Sequence, residues 1–215
     1  MAAWWTILVI EPPESSCPRA SAATSTSGDS GTRARMLCHS ARRSPSSGRV
    51  KATARALLAQ ARPAPCSNIE NAGQWIDWAA DLHEIGLDIA HSGYHKHSGY
   101  IIENADLPGF SRQDQILLAT LVRAHRRKCP LKLFRELGAP WNTVAKSMAL
   151  ILRLAVLLNR SRHPEPLPDI GLSLTDDRIE LRFPPDWLGD HPLTVADLEQ
   201  DGRYLHAAGI TLIYG

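Results

Sequence analysis

The sequence predicts a mainly α chain: a helical bundle over residues 66–165, a small α+β module over 166–215, and ahead of both a disordered segment, 1–65. Three observations carry this. Apolar residues recur every three or four positions from Trp75 to Leu158, the mark of amphipathic helices. After Pro164, Pro166 and Pro168 the apolar period falls to two, as in half-buried strands. Before Asn68, by contrast, Ser, Ala, Thr, Arg and Pro dominate, and such a segment cannot bury enough apolar surface to offset its ordering entropy.

Within 1–65 one helical patch is expected, Val50 to Gln60, where Ala, Leu, Lys and Arg have good helix propensity. The rest reads as a linker, a remnant or a frame-shifted stretch, with a basic docking tail as the alternative. The first bundle helix is expected from Gln74 to Ile85, with Trp75, Trp78, Ala79, Leu82 and Ile85 on one face and Gly86 as the stop. A second runs from Tyr94 to Asn104. A third opens at Ser111, with Asp114 three residues on in a capping-box pairing, and carries Ile116, Leu117, Leu121 and Val122 towards His125. The fourth, Asn142 to Arg160, turns Val144, Met148, Ile151, Leu154, Ala155 and Leu158 inward, and the three prolines close the bundle. Ile170–Thr175 and Ile179–Phe183 flank Asp176-Asp177-Arg178 as a hairpin, Leu193–Ala208 is helical, and Ile210–Tyr214 is a last strand.

Composition narrows the function classes. With 44% hydrophobic and 21% charged residues, the 215-residue chain suits a soluble globular protein. The apolar run from Met148 to Asn159 is interrupted by Arg153 and falls short of the roughly 20 residues of a membrane span, so it is expected to be a buried helix. Cys17, Cys38, Cys66 and Cys129 form no CxxC, which argues against a zinc site and for a reducing, cytoplasmic setting. The formal charge of +2 is too small for nucleic-acid binding by bulk attraction, so only local clusters of cations matter.

Three blocks carry a resemblance to a known family: Leu82-His-Glu-Ile-Gly-Leu-Asp-Ile-Ala-His-Ser-Gly93 leading into His95-Lys-His-Ser98; Asn104-Ala-Asp-Leu-Pro-Gly-Phe110 with Leu121-Val-Arg-Ala-His-Arg126; and Leu152-Arg-Leu-Ala-Val-Leu-Leu-Asn159. Leu181-Arg-Phe-Pro184 and Asp186-Trp187 extend it. From Trp78 to Tyr214 the chain resembles the carboxy-terminal half of the exopolyphosphatase / guanosine pentaphosphate phosphatase (Ppx/GppA) family. The resemblance implies an HD-domain-like helical bundle followed by a small α/β module. In whole members these follow two actin-like domains whose glycine loops, carboxylate and magnesium cleave phosphoanhydride bonds. Residues 1–65 are too few for those domains and hold no Asp-x-Gly phosphate loop, so the isolated chain is expected to be inactive, with no cofactor of its own.

An HD hydrolase holds its metal through an early His, a His-Asp pair and a late Asp. Here the pair is His83-Glu84, the late position after Arg153-Leu154-Ala155 is Val156, and the early His has no counterpart before Trp75. Valine offers no ligand atom, so a degenerate, metal-free site is expected. His83 is expected inside the bundle, bonded to a nearby backbone group or to Glu84. Neither Ser92 nor Ser98 sits in a G-x-S-x-G elbow, so no nucleophile stands out.

Anion binding is the other reading of these residues. His91, His95 and His97 with Lys96 enter a helix, where free amides and protonated imidazoles favour phosphate; a solvated polar turn is the alternative. Arg123, Arg126 and Arg127, with Lys128 beside them, are expected to share one helix side, and Arg160 and Arg162 to meet them. Spaced guanidinium forks suit a linear phosphate polymer. The expected function is therefore binding of inorganic polyphosphate or another phosphorylated polyanion, with pairing into a homodimer and without hydrolysis. The alternative is an HD-type metal-dependent phosphohydrolase acting on a nucleotide or alarmone.

Overall fold

The structure, a computed structural model, describes residues 45–61, 71–107, 109–160 and 166–215. Its centre is the helix here called α6, Trp141–Leu158, which buries residues on nearly every side between Val144 and Leu158. Around it pack α1 (Pro45–Gln60), α2 (Ala72–Leu82), α4 (Arg112–Ala124) and α5 (Leu131–Arg135), with α3 (Tyr94–Asn104) laid against α4. Although α6 is long and apolar enough to cross a membrane, its apolar residues are spent on these neighbours.

The helix expected from Val50 to Gln60 forms, starting at Pro45, and it supplies part of this core although the segment around it was expected to be disordered. Val50, Ala54, Leu57 and Ala61 fall four, three and four residues apart, form one helix face, and are all buried in the same cluster as α6. On the side facing α2, Lys51 pairs with Asp81 at 2.7 Å, and the Arg55 guanidinium grips the Asp77 carboxylate through two bonds of 2.9 and 2.8 Å. The helical domain thus begins at Pro45 rather than at 66. Half of its stripe is alanine, set in a Ser- and Arg-rich stretch, which weakens the periodic signal. Residues 1–44, including Cys17 and Cys38, and Cys66 in the segment 62–70, lie outside the described residues.

The second and third helices form as expected. Ser111 Oγ accepts from the Asp114 backbone amide and the Asp114 carboxylate accepts from that of Ser111, closing the capping box at the start of α4. Differences arise where tertiary contacts decide. α2 stops at Leu82, and Gly86 lies in a separate 3₁₀ turn, Ile85–Asp88. α5, too short to show a period, is anchored by buried Phe134.

Beyond Pro168, β1 (Gly171–Leu174) and β2 (Arg178–Arg182) pair antiparallel with Leu174 opposite Ile179. After a short α7 (Trp187–Asp190), helix α8 (Pro192–His206) returns the chain so that β3 (Thr211–Tyr214) runs parallel to β2. Leu172, Ile179, Leu181, Leu198, Leu205 and Ile210 join the helical core in one continuous cluster. Gln60 of α1 fastens the sheet to the bundle: its side-chain amide donates to the Ile170 carbonyl at 3.0 Å and accepts from the Leu172 amide at 2.9 Å.

A buried histidine cluster beside a candidate anion-binding cleft

Close packing of the 3₁₀ turn onto α3 fixes the local frame. Ser98, fully buried on α3, accepts from the Gly86 amide and donates to the His83 carbonyl, both at 2.9 Å. This serine therefore serves structure. Removing its hydroxyl leaves a buried amide and a buried carbonyl unpaired, so Ser98→Ala is expected to cost about 2 kcal/mol in urea denaturation.

Beneath this turn three imidazoles gather from α2, α3 and the end of α4. The His83 and His125 rings lie 5.3 Å apart edge to face, and those of His95 and His125 6.2 Å apart. His83 Nδ1 donates to the Ala80 carbonyl at 2.7 Å, the interior role expected for it, and its Nε2 lies 3.8 Å from the Glu84 carboxylate. His125 Nδ1 likewise donates to the Val122 carbonyl. Burial lowers the pKa of all three rings. For His83 desolvation outweighs the pull of Glu84, for His125 it acts together with the His83 ring, and His95 is brought to about 4 by burial and by Lys96, Arg126, Arg127 and Arg153. His95 is therefore neutral near pH 7 and adds no charge for an anion, contrary to the sequence expectation.

The ligand set of an HD metal centre is not brought together among the described residues. Val156 fills the late-ligand position as a core side chain, and among the described residues no three His, Cys, Asp or Glu side chains converge as a metal would require. Magnesium fits no better, since a hard cation wants convergent carboxylates.

The expected helical stripe of arginines also takes another form. α4 ends at Ala124, His125 caps it, and Arg127 adopts a left-handed backbone with φ 61°. Side chains capture the last carbonyls: His125 takes that of Val122, and Arg153 takes those of Ala124 and Arg127 at 3.1 and 2.6 Å. Arg126, Arg127 and Lys128 consequently sit on a loop.

That loop closes one side of a cleft of about 810 Å³ lined by His95, Lys96, His97, Arg123, Arg127 and Lys128, with Tyr100, Pro130, Leu133 and Tyr204 completing it. Six of the nine anion-binding candidates thus meet. Arg126 instead lies 5.2 Å over the Tyr94 ring, and it shares an adjoining notch with Arg127, Arg160, Asp197 and Asp201. Arg160 is held by Asp197 at 2.5 Å, while Arg162 lies outside the described residues. Arg123 lies across Gly99 and pairs with Glu103 at 2.7 Å. Among the described residues no carboxylate pairs with Lys96, Arg127 or Lys128. Tyr100 and Tyr204 were not anticipated, although Tyr100 follows Lys96 by four residues on a helix, which puts both on one face.

Comparison with known proteins decides the family. Residues 43–202 match the model of the Ppx/GppA phosphatase, domain III. The chain belongs to the Ppx/GppA phosphatase family. Among its relatives, the guanosine-5'-triphosphate,3'-diphosphate pyrophosphatase of Pseudoalteromonas translucida is 37% identical over 134 residues, covering 62% of this chain and 27% of that protein. The protein of the same name from Vibrio atlanticus is 39% identical over 153 residues, 71% of this chain and 30% of its own length. A third, from Vibrio cholerae, is 36% identical over 154 residues, 72% and 31% respectively. The chain thus spans about three-tenths of the length of these Ppx/GppA relatives. The domain III match begins within two residues of Pro45, so α1 belongs to the family domain.

Proposed function

We propose that this Ppx/GppA domain III binds inorganic polyphosphate or another phosphorylated polyanion in the cleft between α3 and the loop after α4. The observation that carries the reading is the meeting of Lys96, Arg127 and Lys128 around one cleft without a carboxylate partner among the described residues. Cations already neutralised by carboxylates have little left for a ligand, whereas Lys96, Arg127 and Lys128 keep their charge available. The names of the relatives, which refer to a guanosine carrying phosphates at two positions, support a phosphorylated ligand over an acidic peptide. Within this chain the role is binding: the imidazoles of His83, His95 and His125 are buried and neutral, and Ser98 is committed to the backbone. The HD phosphohydrolase alternative has less support, because no such ligand set converges among the described residues.

The test is retention of labelled long-chain polyphosphate on a filter, with the double variant R127E/K128E beside the parent. Reversal is expected to weaken binding about thirtyfold at low salt and to flatten the salt dependence, by a slope of about 1.5, because fewer counterions are released. Binding that is indifferent to both charges overturns the proposal. Arg126→Glu is expected to matter less, since that guanidinium is committed to the Tyr94 ring. Phosphate release in the presence of magnesium, measured on the same samples, is expected to stay at background. Subunit pairing, the other role proposed for this module, is read separately by sedimentation.

A further inference from the structure

One buried cation stands apart from the cleft yet reaches its wall. Arg153 of α6 is 1% exposed, in the middle of an otherwise apolar helix. Its Nε and Nη2 donate to the two oxygens of Asp201 at 2.6 Å each, a fork-to-fork pair with a residue of α8. Its remaining donors reach the carbonyls of Ala124 and Arg127. One planar group thus ties α8, α6 and both ends of the turn that leads from α4 into the cationic loop.

From this geometry we infer that Arg153 and Asp201 are positioning residues for the anion cleft: Asp201 orients the guanidinium, and the guanidinium holds the loop bearing Arg126, Arg127 and Lys128. The inference rests on the proposed anion binding for its functional meaning, but the holding of the loop stands on its own. Three features support it. Arg127 is a non-glycine residue at φ 61°, a conformation that costs energy and persists only where surrounding contacts offset it, and the bond from Arg153 to its carbonyl is such a contact. α4 breaks off at Ala124, the residue whose carbonyl Arg153 takes. Asp201 itself lines the notch that Arg126 and Arg127 share. The C-terminal module, through α8, therefore decides the shape of a site built mostly by the helical domain.

The loop supplies its own reporter, since Arg126, Arg127 and Lys128 are tryptic sites that a held backbone protects. The full chain is compared with R153M/D201L, which replaces the pair with apolar side chains; such exchanges usually preserve folding. Cleavage between residues 126 and 129, followed by mass spectrometry, is expected to be about tenfold faster in the variant, reflecting local opening with the remaining fold intact by circular dichroism. Polyphosphate affinity is expected to fall about tenfold in parallel. Arg153→Lys is the second variant, because a lysine keeps the charge beside Asp201 but cannot fork to both carbonyls, and the same change is expected. A loop as resistant as the parent's in whichever variant folds overturns the inference. If the parent itself does not retain polyphosphate while the tryptic difference persists, the anion reading fails and the positioning of the loop remains.

Discussion

Gly86→Ala is expected to destabilise the protein by about 3 kcal/mol, or to prevent accumulation of folded material, because the added methyl has nowhere to go. A Cβ at this position would sit 2.3 Å from the Tyr94 carbonyl oxygen and 2.5 Å from the Ser98 amide nitrogen, both backbone atoms of α3. Backbone cannot swing aside as a side chain can, so the 3₁₀ turn would have to lift away from α3. That movement would also break the two Ser98 bonds and open the roof over the imidazoles. Gly99 is the matched control. A methyl there meets the Arg123 side chain, its Cγ at 2.3 Å, which clears it by a change of χ1 rotamer at the cost of its contact with Glu103, whereas backbone has no such alternative. Urea denaturation of the two variants is expected to show a large loss at Gly86 and a much smaller one at Gly99; equal losses would show that the close approach of the turn to α3 is not what the glycine provides.

Mild acid is expected to unfold the domain well before its carboxylates titrate. In the folded state burial holds His83, His95 and His125 neutral, whereas in the unfolded chain each takes up a proton near pH 6.5. The unfolded state therefore binds more protons, and stability is complete above pH 6.5 and lost as pH falls towards the folded-state values. With a folded value of about 4, His95 alone accounts for about 2 kcal/mol by pH 5. His83 and His125 add losses of the same sign, and any proton that enters the cluster finds the neighbouring rings, Arg126, Arg127 and Arg153 close by. Denaturation midpoints at pH 7.5, 6.5, 5.5 and 5 check this. A flat profile between 7.5 and 6.5 followed by a steep fall is the expected result, and His95→Leu is expected to reduce the fall. A midpoint that stays constant down to pH 5 would mean that the imidazoles are solvated, not buried.

Local rules and distant partners divide what could be read from the residues. Ser111 and Asp114 announce the start of α4 because both halves of a capping box lie within four residues. Tyr94 to Asn104 and the hairpin around Asp176 and Asp177 follow equally from short-range pattern. The end of α4 could not be read in the same way. It depends on an arginine 29 residues from Ala124 and on an aspartate 48 residues further along the chain. Arg153 within an apolar run was the visible sign of a buried cation needing a partner, but nothing nearby said which one. The helix of α1 was legible from Val50 to Gln60, but its place in the core was not: Ala54 and Ala61 are buried in the common cluster, and small residues carry little hydrophobic signal even where they pack. The cleft was half legible. Its cations could be counted in the sequence, but their pairing could not, so Arg123 and Arg160 looked equivalent to Lys96, Arg127 and Lys128 until Glu103 and Asp197 were found against them.

The hold of Gln60 on the sheet has a bearing on how copies of this protein behave in a crowded solution. β1 lies at the margin of a three-stranded sheet, and a strand in that place normally offers unpaired amides and carbonyls to any extended chain that drifts past. The glutamine amide meets that margin as a neighbouring strand would, donating to the carbonyl of Ile170 and accepting from the amide of Leu172, two residues on. Gln60→Leu is therefore expected to open this edge to foreign strands, seen as concentration-dependent association in light scattering.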